Sequence, residues 1–299
     1  MLRKFVKATP PVGTNALPEQ TADIFPVMSL KRKARVKNEA AIRNLCHSTY
    51  LGDHTALCRV LGRYKMYVDS RDIGIAPHLM LDGYWEMWVT EALISLVREG
   101  MVVADIGANL GYFSLLLADL VGSGGQVHAF EPNPHMTGLL QRSLSVNGFS
   151  QRVQIHQLAL GAESEGEVAL IVPPGDPKNA HIVPIGDGLP ENAVPVPLAR
   201  LDGRPDWSAI ELIKVDVEGA EQLVWAGARG LLDSGKLKVV VLEFTAARYH
   251  DPAGFLRTLM APGFNLAYIH LTHGIVDTTP AQILERDPHI DIMLVLRRR

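Results

Sequence analysis

The chain has 299 residues, 47% of them hydrophobic and 20% charged, with a formal net charge of −3. That is ordinary globular usage, long enough for one large domain plus an extension, and it gives no bulk electrostatic pull toward nucleic acid. No apolar run approaches the length of a membrane span. Cys46 and Cys58 lack metal-site spacing and read as buried thiols of a reducing compartment. The basic stretch over residues 1–7 is not followed by an apolar segment, so no secretory signal is expected and the cytoplasm is the default location.

Residues 1–30, with Pro10, Pro11, Gly13, Pro18 and Pro26, predict a mobile N-terminal arm. Residues 31–75 predict a helical extension. Lys31, Arg32, Lys33, Arg35 and Lys37 crowd its start as a solvated face, and Ala40, Ile42, Leu45 and Cys46 recur at helical spacing, with helix expected over 30–62. Met66 to Val68 reads as a short strand. A Rossmann-like domain is expected over 76–299. It opens with a helix whose apolar stripe runs from Trp85 and Trp88 to Leu96 and ends at Gly100. The two tryptophans read as core, and Glu86 beside the stripe faces either a cofactor or water.

The stretch Val102-Val103-Ala104-Asp105-Ile106-Gly107-Ala108-Asn109-Leu110-Gly111 reads as a buried strand, a tight glycine turn and the start of a helix. Such a turn aims backbone N–H groups at a ligand, and glycine permits positive φ or close approach there. A second strand over 126–131 ends in Glu131, 20 residues beyond Gly111, where an acid can accept both hydroxyls of a ribose. The dinucleotide pattern would need glycine at 109 and 112, which hold Asn109 and Tyr112, and the phosphate-loop pattern fails at Tyr112. What remains, Asp105-x-Gly107-x-Asn109-x-Gly111, resembles the first motif of class I S-adenosylmethionine-dependent methyltransferases, and that resemblance implies that Asp105 positions an amino-acid head group; the other reading is an Asp that merely caps the following turn. The third strand, from Val153, ends at Gln157; adenine would lie against Leu158 and Ala159, with Gln157 either at its polar edge or exposed as a strand-end amide.

Short strand-like pieces over 167–172, 182–185 and 194–198 predict an antiparallel excursion, and the loop 173–181 between them is placed to carry substrate specificity. Strand four ends at Asp216, strand five at Glu243, and the last two strands lie over 265–269 and 292–296 with a polar connection. Strands alternating with helices imply an α/β, doubly wound, mostly parallel sheet with ligands at the carboxyl ends of its strands. Asp105, Glu131, Gln157, Asp216 and Glu243 each end a strand.

With these residues assembled, the chain resembles the FkbM family of class I methyltransferases over roughly residues 64–296. The likeness rests on Tyr67-Val68-Asp69-Ser70-Arg71-Asp72, Gly83-Tyr84-Trp85-Glu86, Asp105-Ile106-Gly107-Ala108-Asn109-Leu110-Gly111, Phe130-Glu131-Pro132 and Lys214-Val215-Asp216-Val217-Glu218-Gly219-Ala220-Glu221. It implies a seven-stranded sheet whose final strand is antiparallel, S-adenosyl-L-methionine as donor, and O-methylation of a sugar, glycan or natural-product hydroxyl. The expected cofactor contacts are Glu86, Asp105, Gly107, Asn109, Gly111, Glu131, Pro132, Gln157, Leu158 and Asp216. Residues 1–60 lie outside the likeness and are left to substrate cover or homo-oligomer assembly.

Methyl transfer from a sulfonium expels a neutral thioether, so the protein must align the acceptor and remove its proton. Asp216, Glu218 and Glu243 are the candidate catalytic carboxylates; Lys214 shares the face of Asp216 if the strand continues, its other reading being a structural ion pair with a neighbouring carboxylate, and Glu221 turns onto the following helix. Their spacing does not enforce the convergence that Mg²⁺ needs, so no metal is assigned. His78 and His181 are weaker candidates for the base. Two other readings fit a Rossmann-like chain: an NAD-linked oxidoreductase, and a non-catalytic binding or assembly module.

Overall fold

The structure, a computed structural model, describes residues 24–31, 34–186, 189 and 192–298. Of the expected arm, residues 1–23 lie outside it. After a 3-10 turn (Val27–Lys31), α1 (Arg35–Leu45) is followed by three antiparallel strands, β1 (Ser48–Gly52), β2 (Thr55–Val60) and β3 (Tyr64–Asp69). The helix expected over 30–62 thus ends at Leu45. Gly52, Asp53 and His54 all take positive φ in a turn that no helix can contain, and β2 alternates buried and half-buried residues at the period of a strand.

The main domain runs α2 (Ala76–Leu81), α3 (Met87–Leu96), β4 (Val102–Ile106), α4 (Tyr112–Leu120), β5 (Gln126–Phe130), α5 (Pro134–Val146) and β6 (Val153–His156). The excursion follows as β7 (Ala159–Leu160), β8 (Glu165–Ile171), β9 (His181–Pro184) and β10 (Ala193–Ala199), a separate sheet in the order β7-β10-β8-β9. The chain then returns through β11 (Leu212–Val215), α6 (Glu221–Ala226), α7 (Arg229–Asp233), β12 (Val239–Phe244), α8 (Pro252–Met260), β13 (Asn265–His270), β14 (Gly274–Asp277), α9 (Pro280–Leu284) and β15 (Ile292–Arg297).

The large sheet has the order β14-β13-β15-β12-β11-β4-β5-β6. β12, β11, β4, β5 and β6 are mutually parallel, and β15 runs antiparallel to both its neighbours. It has eight strands, not seven. The extra one, β14, comes from the connection expected to be merely polar: Gly274 turns the chain at φ +73 and folds residues 274–277 back on β13.

Both faces are covered. Leu93, Leu117 and Leu140 from the helices of one face share a buried cluster with Ile42, Met66 and Val68 of the N-terminal segment, while Trp207, Trp225, Phe255 and Leu259 pack the other face. From β4 the chain moves outward through β5 and β6, then restarts at β11 on the other side. The switch in strand order lies between β4 and β11, where such sheets open a crevice.

Candidate active site

Two cavities lie at that switch. The first, about 590 Å³, is lined by Phe130, Leu158, Leu160, Leu170 and Ile182, with Asn109 and Glu131 as its polar edge. Glu131 is buried, and its two carboxylate oxygens accept from the Asn109 and Asn133 N–H groups, each at 2.8 Å. Every oxygen keeps a second lone pair. Burial pushes the Glu131 carboxyl up to about 7, against the pull of those N–H donors. Pro132 lies beside it on the wall, and the excursion supplies Lys178 and His181 across the cleft.

The second cavity, about 1010 Å³, shares Gly107, Asn109, Lys178, Asp216 and Glu218 with the first, so the two form one cleft. A concave cleft lined by apolar side chains with a few convergent polar groups is the usual form of a small-molecule site. The walls of the second cavity include Trp85, Tyr112 and Phe113, so Trp85 is a site residue as well as a packing one. Glu86 also faces it, from a left-handed backbone (φ +37) at the start of α3; burial, then the Asp216 charge, raises its carboxyl to about 7. Gly111 takes φ +94, and a Cβ there would lie 2.2 Å from Leu140 Cδ1, so this glycine serves the packing of α5.

Two expected cofactor contacts stand elsewhere. Asp105 lines neither cavity: it is fully buried under the cleft floor, accepts from Ser114 Oγ at 2.6 Å, and sits 3.8 Å from Lys214 Nζ. Its position on β4 turns the carboxylate toward α4 rather than the opening, so Asp105 acts on the site through Lys214. Gln157 is exposed beyond the end of β6, where it accepts from Thr137 Oγ1 at 3.1 Å, and it lines neither cavity. His78 is likewise outside, its ring tilted at 53° against Trp85 with the centroids 5.2 Å apart.

Lys214 links the buried acid to the exposed one. Its Nζ lies 3.0 Å from Asp216 Oδ2 and 4.9 Å from the Phe113 ring centre. Burial pulls this ammonium's pKa down, but the Asp216 and Asp105 carboxylates outweigh that and hold it above the usual lysine range.

The loop after β11 is fixed from below. Glu221 is fully buried at the first position of α6 and accepts from the Val217 and Gly219 N–H groups at 3.1 Å each, while Tyr249 Oη donates to it at 2.7 Å. Held this way, Glu218 takes φ +54. One carboxylate oxygen from each of Asp216, Glu218 and Glu243 lies within 4.8 Å of the others, a convergence that spacing alone did not enforce. Lys214 pairs with Asp216, and Arg248 bridges the other two, its guanidinium donating to Glu218 and Glu243 at 2.7 Å each. Burial, then Asp216 and Glu218, pushes Glu243 up to about 9; burial, then Asp216, raises Glu218. Sequence reasoning missed Arg248, Lys178 and Asp291. Arg248 follows the strand-end Glu243 by five residues, which was the one available signal.

A family model described as the methyltransferase FkbM domain matches residues 105–270, more than half of the chain. Methyltransferase sdnD of Sordaria araneosa is 34% identical over 155 residues, 42% of this chain and 59% of that protein. Methyltransferase 1 of Beauveria bassiana is 31% identical over 145 residues, 42% of this chain and 57% of that protein. The matches thus span less than two thirds of these relatives' lengths. A solved methyltransferase FkbM from Methylobacillus flagellatus is 16% identical with a TM-score of 0.42, over 71% of this chain and 54% of that one. Through the family match, which takes in the β4 turn, the carboxylates of β11 and β12, and Arg248, this chain belongs to the FkbM-domain methyltransferases.

Proposed function

We propose that the protein is an S-adenosylmethionine-dependent O-methyltransferase acting on a hydroxyl of a sugar, glycan or natural product. One observation carries this reading: an apolar slot edged by a buried acid runs, without a break, into a cavity where three carboxylates converge. The residues present fit the cofactor. Phe130, Leu158 and Ile182 offer faces for an adenine, and each Glu131 oxygen has a lone pair free for a ribose hydroxyl. Glu86 and the turn over 107–111 stand where the methionine end would reach.

When bound, S-adenosylmethionine supplies a methyl group on a positively charged sulfur. The chain's own work is placement and proton removal. Trp85, Tyr112 and Phe113 narrow the second cavity around an acceptor and displace water from it. A carboxylate of the Asp216, Glu218 and Glu243 group takes the hydroxyl proton as the oxygen is alkylated. Lys214, tied to Asp105, fixes Asp216 in place.

Calorimetric titration with S-adenosylmethionine tests the first half of the reading: a saturable heat is expected, and none at millimolar cofactor would contradict it. A methyl-transfer screen against sugars and polyols tests the second half. A nicotinamide fluorescence titration addresses the oxidoreductase alternative, for which Asn109 and Tyr112 stand where glycines would be needed.

A further inference from the structure

We infer that Arg248 is a positioning residue: its guanidinium gathers the carboxyl groups of Glu218 and Glu243 into one face beside Asp216. This rests on the function proposed above. Arg248 closes a single 3-10 turn (Ala246–Arg248) directly after β12. Nη1 donates to Glu243 Oε2 and Nη2 to Glu218 Oε2, both at 2.7 Å, and Nη2 lies 3.9 Å from Asp291 Oδ1. Glu218 comes from the loop after β11 and Glu243 from the end of β12, and the planar guanidinium fork presents one N–H donor to each.

Two adjacent residues fasten the same loop by separate contacts. Tyr249 secures the backbone at 217–219 through Glu221, and Arg248 secures the Glu218 carboxylate above it. A non-glycine residue at φ +54 costs about 1–3 kcal/mol, so it persists only where several contacts agree on it. Lys214 cannot replace Arg248, because Asp105 and Asp216 already engage it. Lys178 and Glu86 also line the cavity that holds the trio, and the Lys178 charge pulls the Glu218 carboxyl down.

Three carboxylates this close retain protons unless a cation compensates them. Arg248 therefore sets how many protons Glu218 and Glu243 carry before cofactor arrives. A sulfonium placed beside the trio drives retained protons off; the neutral thioether product does not. Removing Arg248 leaves more protons to be released when the sulfonium binds.

The test is calorimetric titration of the full chain at pH 8 with S-adenosylmethionine, in two buffers of different ionisation enthalpy, which counts protons released. Arg248→Gln should release roughly half a proton to one proton more than the native chain, and Arg248→Lys, which keeps the charge but not the fork, should fall between them. With S-adenosylhomocysteine the three proteins should release equal numbers. The side chain is 30% exposed, so both variants should fold, and Arg248→Lys alone still carries the test if the glutamine variant does not. Equal proton counts with S-adenosylmethionine, or the same change with both ligands, would overturn the role. Absence of any cofactor heat with the native chain would overturn the proposed function and this role with it.

Discussion

Gly107 and Asp216 meet backbone to backbone: a Cβ built on Gly107 would lie 1.8 Å from the Asp216 carbonyl oxygen. The first turn of the sheet and the carboxylate loop of β11 are pressed together across the switch point, and the Asp216 N–H donates to the Ile106 carbonyl at 3.0 Å. The glycine is required by its neighbour, and by its own φ of +79, before any ligand is considered. Gly107→Ala should therefore separate the two loops, with a stability loss of about 3 kcal/mol or more. Urea unfolding measures the loss, and cofactor affinity should fall with it because both walls of the cleft move.

Lys214 is a second point where the floor of the site governs its rim. Lys214→Met leaves Asp105 ionisable, fully buried and without its cation, which typically costs about 3–5 kcal/mol. The double change Lys214→Met with Asp105→Asn should recover most of that, since the amide needs no counter-charge and Ser114 still has an acceptor. Chemical denaturation of the three proteins separates the cases: a double variant no more stable than the single one would mean Asp105 is not the group left stranded.

How much of this was legible beforehand follows from what each residue depends on. The central strands could be read because a parallel strand buried on both faces is an apolar run whatever surrounds it, as at Val102–Ile106 and Val239–Phe244. Glu131, Asp216 and Glu243, legible as strand-end acids, line the cleft. What failed depends on three-dimensional context. Asp105 ends its strand as the others do, but whether a side chain rises to the cleft or drops under it depends on which helix lies below. Met66–Val68 is legible as a strand and lies within β3, but β1 and β2 fall in the stretch expected to be helix, because the helical spacing runs out at Leu45 while β2 gains its stability by pairing with β3. Arg248 lies on no periodic element, and only the approach of β11 to β12 makes it central.

Glu131→Gln probes the ribose acid. The carboxylate satisfies two N–H donors, one per oxygen, whereas an amide can accept with only one of its two ends. One of the Asn109 or Asn133 N–H groups loses its partner, and a hydrogen bond to a charged group is worth about 1.5–3 kcal/mol. S-adenosylmethionine should bind roughly 10- to 100-fold more weakly in a calorimetric titration. Gln157→Ala, outside the cleft, should leave that affinity unchanged.

Stability should depend on pH through two sets of groups acting in opposite directions. His128 and His156 stack between β5 and β6 with Nδ1 and Nε2 3.1 Å apart, packed against Phe130 and Trp207. Burial, then the neighbouring His128, lowers His156 to about 4, and burial lowers His128. The unfolded chain takes up protons near 6.5, where the folded one does not, so stability is complete above 6.5 and is lost as the pH falls toward 4. Glu86 and Glu131 are raised to about 7, and their contribution is complete below 4.5 and is lost as the pH rises through 7. The two variants that separate these effects are His156→Phe, which extends the aromatic stack without a titratable group, and Glu86→Gln. The first should flatten the loss between pH 6.5 and 4.5, and the second should raise the urea midpoint above that of the native chain at pH 8 while matching it near pH 4.5. An acid limb unchanged by His156→Phe would place the titrating groups elsewhere in the fold.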